Sequence, residues 1–85
     1  MGFGEAMKIS VTQQHIDRGL KGSCTKDPIA LACQDAGMKK PFIGPYVISD
    51  NHEVEYYVPE AARQFMKDYD NDKLVFPFDF ELEGY

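Results

Sequence analysis

Leu74-Val75-Phe76-Pro77-Phe78-Asp79-Phe80-Glu81-Leu82 is the stretch on which the reading of this 85-residue chain turns. Leucine or phenylalanine occupies every second position, and Val75, Pro77, Asp79 and Glu81 fall between. Side chains alternate across a strand, so the stretch predicts a strand with one wholly apolar face and an increasingly charged opposite face. Pro77 has no N–H to give to a ladder, which puts this strand at a sheet edge or leaves it paired on one side only there.

Upstream, Pro59 opens a helix whose Ala62, Phe65, Met66 and Tyr69 share an apolar face. Arg63 and Lys67 point the other way, and Asp70-Asn71-Asp72 stops the helix. Before it, residues 42–49 and 53–58 read as two strands around the polar turn set Asp50-Asn51-His52. Gly44-Pro45 weakens the start of the first, so it begins near Tyr46. Tyr56 and Tyr57 fall on opposite faces, which leaves one of them available to a partner.

Farther back, Asp27 is a good helix cap and Pro28 suits the first helical position, where no N–H is needed. Thr25 competes as the cap. Ile29, Ala32, Cys33 and Ala36 form a narrow apolar stripe, and Gly37 ends the helix in the left-handed conformation. A brief helix over 13–20, capped by Thr12 and carrying Ile16 and Leu20, precedes it. Met7, Ile9 and Val11 alternate with Lys8, Ser10 and Thr12 as a first strand. The expected fold is therefore a small α+β domain over residues 7–85 after a loose leader at 1–6. Its expected order is β-α-α-β-β-α-β, with an antiparallel or mixed sheet packed on helices.

Composition narrows the function classes. No run approaches the roughly 18 apolar residues of a membrane span, and the N-terminal residues lack the basic-then-apolar pattern of a secretory signal. Two cysteines are too few for a disulfide scaffold. The net charge of −5 is unevenly spread. Residues 1–43 carry six Lys/Arg against four acids, and residues 44–85 carry three against ten. The second half repels nucleic acid and attracts basic surfaces.

No motif assembles a complete catalytic or metal site. Cys24 precedes a helix and His15 is the available base, but no third residue orients them; a cysteine capping the core under its loop and a surface or capping histidine is the better explanation. Cys24, Cys33, His15 and His52 lack zinc-module spacing. Asp68, Asp70 and Asp72 alternate like the start of a calcium loop, yet Lys73 stands where that loop needs glycine. No cofactor is expected. A candidate anion loop runs over 19–26, where Arg18, Lys21, Gly22 and Lys26 surround the approach to a helix N-terminus. Asp27 competes for that N-terminus.

Three segments carry a resemblance. Val11-Thr12-Gln13-Gln14-His15-Ile16-Asp17-Arg18-Gly19, then Gly22-Ser23-Cys24 with Pro28-Ile29-Ala30-Leu31-Ala32, and the tail Phe76-Pro77-Phe78-Asp79-Phe80-Glu81-Leu82 resemble small phage- and prophage-encoded proteins. The likeness covers most of residues 8–82. It brings no activity and no functional residues. It implies context, since phage proteins of this size are often inhibitors or adaptors acting in the cytoplasm of an infected or lysogenic host. The resulting expectation is a non-enzymatic binder, of anti-CRISPR type, that blocks a basic nucleic-acid-binding surface. Its contact residues would be Asp68, Asp70, Asp72, Asp79, Glu81 and Tyr57. Direct nucleic-acid or membrane binding is not expected. Two alternatives stand beside it: self-association through the last strand, as a homodimer or assembly, and small-anion binding by the 19–26 loop.

Overall fold

The alternating patterns at the two ends of the chain satisfy each other. A computed structural model, which describes residues 6–84, pairs β1 (Met7–Val11) antiparallel with β5 (Phe78–Gly84). Ile9 lies opposite Phe80 and Met7 opposite Leu82. Ile9, Val11, Phe80 and Leu82 are buried, while Lys8 and Asp79 form a 3.7 Å ion pair on the outer face. The expected leader at 1–6 lies, except for Ala6, outside the described residues.

Between these strands come α1 (Gln13–Arg18), α2 (Pro28–Asp35), β2 (Pro41–Ile43), β3 (Val47–Asp50), β4 (Val54–Tyr57) and α3 (Glu60–Asp70). The fold is α+β, with three helices and an antiparallel five-stranded sheet ordered β1-β5-β4-β3-β2 among the described residues. The strand expected from near Tyr46 is β3, and Phe42-Ile43 ahead of Gly44-Pro45 belong to a separate strand, β2. Gly44-Pro45 turns the chain, and the Gly44 N–H donates to the Val47 carbonyl at 2.9 Å. The element order is otherwise the one expected.

Local chemistry explains the helix ends. The Thr12 hydroxyl accepts from the His15 N–H, and the His15 ring accepts from the Thr12 N–H at 2.9 Å, a reciprocal cap. Asp27 Oδ1 accepts from the Ala30 N–H at 2.7 Å, with Pro28 at the first helical position. At the far end of α2 the Gly37 N–H donates to Gln34 and the Met38 N–H to Cys33. That is a Schellman motif with Gly37 at φ 115°. The same motif closes α3, where Asp72 N–H reaches Tyr69 and Lys73 N–H reaches Asp68. Asp72, at φ 62°, holds the position that glycine usually fills.

Three apolar assignments shift. In α2, Ala30 is buried and Ala36 is an exposed cap residue. α1 ends at Arg18, leaving Leu20 outside the helix and 54% exposed. The final strand begins at Phe78 rather than Leu74, and it lies between β1 and β4 rather than at an edge. β4 pairs only with its last residues, Tyr56 opposite Gly84 and Tyr57 opposite Glu83. The five residues of β1 fix how much of the alternating run enters the sheet, since Val11 already faces Phe78 and nothing remains to pair with 74–77. Pro77, unable to donate, falls outside the ladder.

The β3–β4 turn carries strain. The Glu53 N–H donates to the Asp50 carbonyl at 3.0 Å, and both central residues are left-handed, Asn51 at φ 56° and His52 at φ 60°. Such a turn favours asparagine followed by glycine, so histidine is the poor fit. His52→Gly is expected to raise stability by about 1 kcal/mol, visible as a higher thermal midpoint; an unchanged or lower midpoint would show that the turn is relaxed as it stands.

Candidate functional site

Having no partner strand, residues 73–77 cross the surface without regular secondary structure. The alternation is inverted here. Val75 packs against the core, whereas Leu74 is 80% and Phe76 66% exposed. Just beyond, Phe78 turns inward and stacks on Phe65 and Phe80, with ring centroids 5.0 and 5.3 Å away. The expected apolar face of five residues therefore reaches the core only through Phe78, Phe80 and Leu82, and Phe76 is excluded from it.

Acids flank this segment on both sides. Asp68, Asp70 and Asp72 cluster at the C-terminal end of α3, which is the negative end of the helix dipole. Acids there do nothing for helix stability. They do hold the 19–27 loop: Asp70 Oδ1 accepts from the Gly22 N–H at 3.3 Å, and Asp72 ion-pairs with Lys21. Asp68 accepts from the Gln64 side chain at 2.9 Å. Asp79 and Glu81 project from the outer face of β5, where Lys8 meets Asp79. Tyr57 is 53% exposed on β4, and Tyr56 packs against the core. The contact residues expected from sequence thus lie on three elements, with the α3 group partly engaged inside the molecule.

The candidate anion loop is not assembled as expected. Lys21 and Gly22 turn toward Asp72 and Asp70, and the α2 N-terminus is filled by Asp27. Arg18 and Lys26 instead line a separate apolar groove together with Lys39 and Lys40. The sequence reading missed that pairing, although the Lys39-Lys40 doublet in the basic half was its signal.

His15 and Cys24 have separate surroundings. His15 Nδ1 faces the Thr12 N–H, so Nε2 carries the proton and donates to Asp35 Oδ2 at 2.6 Å. This contact ties α1 to α2, and both ring nitrogens are thereby engaged. Cys24 is exposed and its carbonyl accepts from the Ile43 N–H at 2.8 Å. Cys24 and Cys33 are both free, and burial pushes the Cys33 thiol up to about 12. Among the described residues, no three His, Cys, Asp or Glu side chains come together as metal ligands. No helix among them is long and apolar enough to cross a membrane.

A cleft of about 570 Å³ lies between the 22–27 loop, the Tyr46 turn and α3. Arg63 forms part of its wall, donating Nη1 to the Val58 carbonyl at 2.8 Å with its guanidinium 5.7 Å from the Tyr46 ring centre. Asp27 is the buried group beside the cleft. Desolvation raises its carboxyl to about 6, the nearby Asp70 adds to the rise, and the Ala30 N–H opposes it. Compared with protein-family models, curated proteins and solved structures, the chain matches none.

Proposed function

We propose that the chain acts by binding another protein through Leu74 and Phe76, with the surrounding carboxylates selecting a basic surface. The observation that carries this reading is the exposure of two large apolar side chains on an irregular segment between Asp72 and Asp79. Side chains of this kind supply most of the energy of an interface when a partner's cleft covers them. Carboxylates at the rim steer the encounter and reject acidic partners. Given the resemblance to phage-encoded proteins, the partner is a host or phage protein. Covering its nucleic-acid-binding surface would make the chain a counter-defence inhibitor of anti-CRISPR type.

Affinity capture from host lysate with tagged wild-type protein and with Leu74→Ser/Phe76→Ser tests this. Both side chains are exposed, so the variant is expected to keep the wild-type circular dichroism spectrum and thermal midpoint. A protein retained by the wild type should be depleted at least tenfold with the variant and should be released by moderate salt. Equal capture by both would remove the segment from the interface.

A further inference from the structure

The second groove shares no residue with the 70–79 segment and has the opposite charge. It measures about 570 Å³, within the range of roughly 300–1,000 Å³ that small-ligand pockets occupy. Arg18, Lys26, Lys39 and Lys40 all line it, and no carboxylate does. Among the described residues the ion pairs are Lys8–Asp79, His15–Asp35 and Lys21–Asp72, so none of these four cations is neutralised. The backbone holds two of them together: Asp50 Oδ1 accepts from both the Lys39 and Lys40 N–H groups, at 3.0 and 2.9 Å. Four unneutralised cations around one cavity repel one another and favour an anion between them.

The remaining surface is apolar and partly aromatic. Leu20 and Phe42 are exposed there, and the Phe42 and His52 rings lie 6.4 Å apart, tilted by 40°. His52 is the strained residue of its turn, held in a left-handed conformation that brings its ring to this groove. Strain of that kind persists where the surrounding structure or a function requires it.

The edge strand offers little to an occupant that binds by backbone pairing, since the Ile43 N–H is already given to the Cys24 carbonyl and Pro41 has no N–H. We propose that the groove binds a nucleotide, with its phosphates among Arg18, Lys26, Lys39 and Lys40 and its base against Leu20, Phe42 and His52. The size, the single sign of charge and the aromatic rings of Phe42 and His52 suit a multiply charged anion attached to a planar ring.

Thermal shift and calorimetric titration with ATP, ADP, adenosine, tripolyphosphate and a short oligothymidylate decide the matter. ATP is expected to raise the midpoint and to bind at least tenfold more tightly than either adenosine or tripolyphosphate, since each lacks one half of the ligand. Lys39→Ala/Lys40→Ala should weaken ATP at least tenfold, and Phe42→Ala should erase its advantage over tripolyphosphate. These side chains are exposed, and an unchanged circular dichroism spectrum confirms that the variants fold. No shift with ATP overturns the proposal. So does equal affinity for tripolyphosphate, binding that survives the double lysine change, or binding of the oligonucleotide alone.

Discussion

Gly19→Ala is expected to destabilise the protein by about 3 kcal/mol, a shift in urea midpoint of the order of 2 M for a chain of this size. The reason is space rather than backbone freedom. Gly19 sits at φ −64°, ψ 152°, a conformation that any residue adopts. A Cβ placed there would lie 2.5 Å from Pro28 Cδ and 2.7 Å from Pro28 N. Pro28 cannot yield: it is buried, its ring is rigid, and it is the first residue of α2 beside the Asp27 cap. Gly19 is also where three elements meet. Its N–H donates to His15 in α1, and its carbonyl accepts the Tyr69 hydroxyl of α3 at 2.8 Å. Gly22→Ala is the control. Gly22 has a left-handed φ of 74° but nothing within 4 Å of an added Cβ, so that change should cost only about 1 kcal/mol. Equal losses at the two glycines would refute the steric account.

Asp27→Asn is expected to stabilise the protein at pH 7 and to remove part of its pH dependence. The Asp27 carboxyl stands at about 6 in the folded chain against 3.8 without the fold. Between these values the folded state binds more protons than the unfolded state, so this group's contribution is most favourable below pH 4. It declines as pH rises through 6, by about 3 kcal/mol in total. This is opposite in sign to the usual paired carboxylate. Asparagine caps helices as well as aspartate does and carries no charge to desolvate. The stability difference between variant and wild type should therefore be near zero at pH 4 and reach about 2–3 kcal/mol in favour of asparagine at pH 7. Denaturant melts at both pH values measure it. A difference that is constant with pH, or that favours aspartate at pH 7, would show that Asp27 is not a desolvated carboxyl.

Much of the fold was legible because the deciding signals are local. Thr12, Asp27-Pro28 and Gly37 mark helix ends through hydrogen bonds made within a few residues, and all three act as their chemistry requires. The strand at 7–11 reads correctly because its alternation ends where its pairing ends. The run from Leu74 to Leu82 misleads for the complementary reason. A period of two says which side chains share a face, but the length of the partner strand decides how far that face is buried, and β1 is sixty residues or more away in sequence. In sequence Gly44-Pro45 reads as a weak start to a strand; in the fold it is a turn between two, a distinction that depends on the Gly44–Val47 hydrogen bond.

The sites were less legible because they depend on contacts across long stretches of chain. Nothing in the residues around Lys21 announces its pairing with Asp72, or that this pairing turns Lys21 away from Arg18 and Lys26. His15 and Asp35 are twenty positions apart and meet only because α1 and α2 pack together. The apolar character of Leu74 and Phe76 points to the core; their importance to the proposed function comes from being left out of it.

Amide hydrogen exchange across residues 6–84, free and in complex with the captured partner, locates the interface. The proposed function predicts that the amides of Leu74, Val75 and Phe76 exchange rapidly in the free protein and at least tenfold more slowly in the complex. A complex in which these amides exchange as before, with protection elsewhere, would contradict it.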